Sequence, residues 1–220
     1  MREFLDGLLR AELIAAGEVE KTQGELEAAQ LPNDRAARVQ WLVDHKRLTP
    51  WQAQEFLGGR NSFRCGAYEL LDQISVTHVG TIYKGRHCRT GWVAVLKVLS
   101  PEIQEDEGVV ARFEREIQLA SQLDHTNIVT VYDAEIGNAG RFLAMEFIEG
   151  RTLSAWHEKH HPLPVDWVVE CCRQAALGLQ HACQHGLVHR DIQPSNLLVI
   201  GKDLRAIPHL KIVDFGLART

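Results

Sequence analysis

Four short polar motifs at fixed intervals limit what this chain can fold into. Lys97 ends the apolar run Val93-Ala94-Val95-Leu96-Lys97, and Glu116 follows nineteen residues later in a helical stretch. The block His189-Arg190-Asp191-Ile192-Gln193-Pro194-Ser195-Asn196 lies further on, and Asp214-Phe215-Gly216 begins eighteen residues beyond Asn196. Each has an ordinary explanation when taken alone. A lysine can simply emerge from a strand, and Asp and Asn favour turns. All of them together, in this order, point to one site assembled from several loops.

The texture around the motifs gives a coarse architecture. Residues 1–57 read as short helices: Leu5, Leu8, Leu9, Leu13 and Ile14 recur at helical spacing, as do Val39, Leu42 and Val43 between about Ala36 and His45. Thr49 is placed to cap a further helix with Pro50 at its first position, and Gly58-Gly59 ends it. From Tyr68 the pattern turns to strands at Tyr68–Ile74, Thr81–Gly85, Trp92–Leu99, Ile128–Asp133 and Arg141–Phe147, with one helix at about Gly108–Leu123. A long helix at Asp166–His185 precedes strands at Leu197–Ile200 and Leu210–Val213. The fold class is α+β in two lobes that join near Glu146–Gly150.

On these motifs the stretch from Tyr68 to Thr220 resembles the eukaryotic-type (Hanks-type) protein serine/threonine kinases, bacterial receptor-like members included. The resemblance implies a helical module at 1–60, an ATP-binding small lobe at 66–148 and a partial large lobe at 149–220. It implies that Lys97 reaches the ATP phosphates, that Glu116 holds Lys97 through an ion pair, and that Asp191 accepts or orients the proton of a substrate hydroxyl. Asn196 and Asp214 would hold Mg²⁺. Ile82, Ala94 and Leu198 would cover the adenine, with Met145, Glu146 and Ile148 at the back of the pocket and the hinge. His189 would be structural. The Pro-Ser-Asn ending of the catalytic block favours protein substrates that carry Ser or Thr. The order Arg47–Ala53, Gly58-Gly59-Arg60, then the kinase start resembles the helical prefix of some large bacterial members.

Three departures accompany the resemblance. The glycine-rich loop is eroded: Ser75-Val76-Thr77-His78-Val79-Gly80 keeps only Gly80. Side chains at Ser75 and Thr77 obstruct close approach of the backbone to phosphate, or their hydroxyls donate to it instead. Gln193 replaces a lysine that contacts the transferred phosphate, at a cost on the order of 10²–10³ in rate. The chain ends at Leu217-Ala218-Arg219-Thr220, which reads as truncation soon after the D-F-G motif and leaves the helix at 166–185 short of apolar partners. The expected function is transfer of the ATP γ-phosphate to Ser/Thr hydroxyls, weakened by these departures. The alternatives are a pseudokinase scaffold, or a helical prefix that docks a partner.

Composition removes other classes. With 45% hydrophobic residues, 24% charged residues and a net charge of −5, nothing suggests a nucleic-acid surface or a disordered tail. Five cysteines without a C-x-x-C pair predict reduced thiols and a cytoplasmic location. No apolar run is long enough to span a bilayer. His157-Glu158-Lys159-His160-His161 matches a zinc pattern, but Pro162 and Pro164 end its helix at once. His181 and His185, near the end of the long helix, read as structural.

Overall fold

The computed structural model describes residues 1–137, 140–201 and 203–215, with Arg112 and Glu116 described by their backbone only. Helices α1 (Arg2–Arg10), α2 (Val19–Ala28), α3 (Arg35–Asp44) and α4 (Pro50–Leu57) form the first unit. Phe4, Leu5, Leu8, Leu13, Leu26, Val39, Leu42 and Phe56 make its core. Leu13 and Ile14 lie beyond α1 rather than in it: Glu12 turns left-handed at φ 58°, and Leu13 N–H closes back on the Leu8 carbonyl at 3.0 Å. That is a Schellman-type ending. Thr49 caps α4 with Gln52 in a reciprocal capping box.

The chain then builds a six-stranded antiparallel sheet in the order β1-β2-β3-β4-β6-β5. The strands are β1 (Arg64–Cys65), β2 (Tyr68–Val76), β3 (Gly80–His87), β4 (Val93–Leu99), β5 (Val131–Gly137) and β6 (Gly140–Glu146). A short helix α5 (Pro101–Gln104) and the longer α6 (Glu107–Ala120) follow β4. The acidic run before α6 therefore divides: Glu102 sits in α5, while Asp106 caps α6 by accepting from Val109 N–H. Ile128 and Val129 do not begin β5. They pass beside Ile212 of the large lobe instead, with Val129 N–H donating to the Ile212 carbonyl and Ile212 N–H to the Asn127 carbonyl, and the strand starts at Val131.

The remaining elements are β7 (Arg151–Thr152), α7 (Leu153–His160), α8 (Val165–Gln184), β8 (Leu197–Ile200) and β9 (His209–Ile212), the three strands pairing in the order β7-β8-β9. Trp167, Cys171, Ala175 and Ala182 of α8 bury against Leu197, Val199, Leu210 and Ile212. A side chain at Gly178 would press on the Asn127 carbonyl and displace the tip of Ile212, so glycine suits the close approach of the helix to its neighbours here. A buried amide network seals the contact. Gln174 Oε1 accepts from Leu210 N–H at 2.7 Å and from Asn127 Nδ2 at 2.9 Å. Asn127 Nδ2 also donates to the Leu210 carbonyl at 2.7 Å. On the other side of α8, Val165 and Val169 remain exposed. No helix among the described residues is long and apolar enough to cross a membrane.

The helical unit is bound to the sheet through α4. Gln52 is 1% exposed; its Nε2 donates to the Leu70 carbonyl at 2.8 Å and its Oε1 accepts from Thr49 N–H at 2.9 Å. Thr49 Oγ1 donates to the Leu71 carbonyl at 2.6 Å. Trp51 packs against Phe63 and Tyr83. Replacing Gln52 by Leu strands the Leu70 carbonyl and opens the capping box. The expected loss of stability is about 1–3 kcal/mol, read as a lower urea midpoint at unchanged m-value.

Candidate active site

The cleft lies between the sheet and the β7–β9 lobe and has a volume of about 570 Å³. Ile74, Ser75, Ile82, Val95, Met145, Glu146, Ile148, Leu198 and Asp214 border it. Strand alternation decides which residues of β4 reach it. Lys97 and Val95 share one face, whereas Ala94, Leu96 and Val98 turn into the core with Tyr68, Leu70 and Phe142. Ala94 is therefore not a cleft residue. Val95, paired with Met145 across the β4–β6 ladder, takes that place. Counting back two residues from Lys97 is the signal that would have found it.

The glycine-loop positions separate. Ser75 borders the cleft. Thr77 is used up in its own turn: its Oγ1 donates to the Gly80 carbonyl at 2.9 Å and accepts from Gly80 N–H at 3.2 Å. Its backbone N–H also bonds the Gly80 carbonyl at 2.8 Å. Neither Thr77 nor Gly80 lies in the cleft. A side chain at Gly80 would run into the Val98 carbonyl of β4, so this glycine serves sheet packing.

The polar motif residues converge from distant parts of the chain. Lys97 is 5% exposed, and its Nζ meets Asp214 Oδ1 at 3.0 Å. Glu116 lies on α6, but its side chain falls outside the described residues, as does Gly216. Asp191 Oδ2 accepts from Gln193 Nε2 at 2.9 Å and from Asn196 Nδ2 at 3.1 Å. Asn196 Nδ2 also donates to the Asp191 carbonyl at 2.8 Å. Gln193 is thus a partner of the Asp191 carboxylate. Arg190 and Asp214 hold left-handed backbone at φ 61° and 56°, a conformation that ordinary residues adopt only when neighbours enforce it.

Those neighbours are identifiable. His189 Nε2 donates to the Val213 carbonyl at 2.9 Å, and Nδ1 accepts from Asp191 N–H at 3.3 Å, which fixes a neutral ring. The ring packs on Phe215 at 4.8 Å between centroids. Val213 N–H returns to the Asn196 carbonyl at 3.0 Å. At the hinge, Lys211 Nζ meets Glu146 Oε2 at 2.7 Å and ties β6 to β9. Burial pushes the Glu146 carboxyl up, but its bonds from Lys211 and Thr130 outweigh this and leave it below its ordinary range. Lys84 Nζ sits over the Phe147 ring at 4.3 Å.

The matched family model, protein kinase domain, covers residues 68–220. The chain belongs to the protein kinase family. It is 34% identical over 176 residues to serine/threonine-protein kinase Pkn1 of Myxococcus xanthus, covering 80% of this chain and 24% of that protein. It is 31% identical over 153 residues to serine/threonine-protein kinase PrkC of Bacillus subtilis, covering 70% of this chain and 23% of that protein. The aligned stretch is therefore about a quarter of each of these bacterial relatives, which are about three times the length of this chain. Among solved structures, the Mycobacterium tuberculosis PknI kinase domain aligns with a TM-score of 0.62 at 28% identity, covering 71% of this chain and 62% of that one.

The five cysteines are free thiols, and burial pushes Cys65 and Cys171 up to about 12, which makes both unreactive.

His189 generates a pH prediction. Burial lowers its pKa, against an opposing pull from the Val213 bond and the Asp191 and Asp214 charges. A histidine with a depressed folded pKa contributes stability that is complete above its ordinary value of about 6.5 and is lost as pH falls further. The melting temperature is expected to drop between about pH 6.5 and 5, with a shallower drop in His189→Asn; an unchanged slope would exclude His189 as the source.

Proposed function

We propose that this chain carries the nucleotide-handling half of an ATP-dependent protein kinase that acts on Ser or Thr hydroxyls of proteins. The observation that carries this reading is the Lys97–Asp214 pair at 3.0 Å beside the Asp191–Asn196 cluster, with an apolar cleft above it. An ammonium has three donors, so Lys97 keeps two for phosphate oxygens while it holds Asp214. Ile82, Val95 and Leu198 offer apolar faces to a purine, and Met145, Glu146 and Ile148 border its edge.

The residues also fit a divalent cation. Mg²⁺ is held by one or two carboxylates together with phosphate oxygens rather than by a cage of protein ligands. Asp214 and the amide oxygen of Asn196 would supply that kind of set. An ion held by these residues would neutralise charge on the phosphates. Asp191, aimed by the amides of Gln193 and Asn196, takes or orients the proton of the substrate hydroxyl. Phosphoryl transfer depends on positioning and electrostatics, and these braces supply the positioning.

The closed Thr77–Gly80 turn weakens the grip on phosphate, because the amides there already have partners. Gln193 brings no positive charge. Calorimetry of the purified chain should show Mg²⁺-dependent ATP binding that weakens on the order of tenfold or more in Lys97→Ala. A folded chain that binds no nucleotide would overturn the kinase reading in favour of a scaffold. In a phosphoryl-transfer assay Gln193→Lys should raise the rate by up to about 10². An unchanged rate would mean that the closed turn limits catalysis instead.

A further inference from the structure

A second cavity lies in the helical unit, far along the chain from the ATP cleft. It has a volume of about 520 Å³ and is bordered by α1, the start of α3 and the end of α4. Arg10, Arg35 and Arg38 line it, with Asn33, Phe4 and Phe56. Residues 1–60 carry eight basic and ten acidic side chains, a net of −2, yet three of the eight bases border this one cavity.

Three of the other five cations of the unit are neutralised: Lys21 by Glu25, Arg47 by Glu18 and Glu25, and Arg60 by Glu55. Among the described residues, no carboxylate pairs with Arg10, Arg35 or Arg38. Arg35 donates to the Phe56 carbonyl at 2.9 Å and lies over the Phe56 ring at 4.5 Å. Arg38 donates to Asn33 Oδ1 at 2.6 Å, with its guanidinium 5.8 Å from the Phe4 ring. These partners are neutral. They orient the guanidinium groups and leave the charge in place, which prepares a site for an anion.

We propose that this cavity binds a phosphorylated Ser or Thr side chain carried on a peptide. Glu3 also lines the cavity, so the lining side chains carry three positive charges and one negative, a net of +2, to which the bordering Met1 α-amino group adds. A phosphate monoester carries about −1.5 to −2 at pH 7 and matches that net charge better than a single carboxylate does. Guanidinium forks bond phosphate oxygens bidentately. The volume exceeds what one phosphate fills, and the Phe4 and Phe56 rings suit the apolar atoms of a flanking residue. Because α4 bonds to β2 through Thr49 and Gln52, an occupant here would sit on a unit hydrogen-bonded to the sheet that borders the cleft.

The test is fluorescence anisotropy of the full chain with a labelled alanine-rich peptide that carries one phosphothreonine, its unphosphorylated twin, a Thr→Asp version and free inorganic phosphate as competitor. The phosphopeptide should bind at least about tenfold more tightly than the other peptides, with affinity falling as salt rises. Arg10→Gln and Arg38→Gln should each weaken it on the order of tenfold, and Glu3→Gln should tighten it. Lys97→Ala should leave it unchanged, which separates this cavity from the ATP cleft. Equal binding of both peptides would overturn the proposal. So would unaltered affinity in the two arginine variants when their melting temperatures match the parent. Competition by free phosphate as strong as by unlabelled phosphopeptide would overturn the peptide assignment.

Discussion

The ion pair between Lys97 and Asp214 is the constraint on which the rest of this site depends. It joins β4 of the small lobe to the segment after β9, across 117 residues of chain. A buried ammonium is costly to leave unpaired, so the pair favours a conformation in which both lobes face one cleft. Everything nearby serves its two ends. The β4 ladder sets which way Lys97 points, and the left-handed turn at Asp214 brings a carboxylate to it.

The second end needs the stiffer support. His189 and Asn196 both bond to Val213, one to its carbonyl and one to its N–H. The loop that carries Asp191 and the segment that carries Asp214 are therefore one braced unit. Beneath them the Asn127–Gln174 amides hold β9 to α8, so the brace rests on the helical core. Glu146 and Lys211 repeat the connection at the hinge. Local strain at Arg190 and Asp214 persists because tertiary bonds surround it on several sides.

Much of this was legible in the sequence, for physical reasons. Lys97, Asp191, Asn196 and Asp214 announce themselves because charged and amide side chains in apolar surroundings need partners. The capping signals of α4 are local and were read correctly. Ala94 was misplaced because both faces of β4 are buried, so hydrophobicity does not mark which side faces the cleft; a shift of one residue reverses every side chain. Thr77 was ambiguous because a hydroxyl can bond a ligand or its own backbone, and only the turn geometry decides. Helix α2 buries only Thr22 and Leu26, too few to mark a face. The Asn127–Gln174 network left no trace, since a bond between amides 47 residues apart has no spacing signature.

Gly80 carries a lesson about how such a loop can change over time. Positions 75 and 77 have accepted side chains because those side chains stand in solvent or close a turn. Position 80 lies against the Val98 carbonyl, where any substitution forces β3 and β4 apart. The loop is therefore unevenly permissive: side chains fit at two of its positions, while the third is closed by the sheet. The strands need this glycine whether or not the loop ever holds a nucleotide, so its presence alone testifies to packing rather than to catalysis.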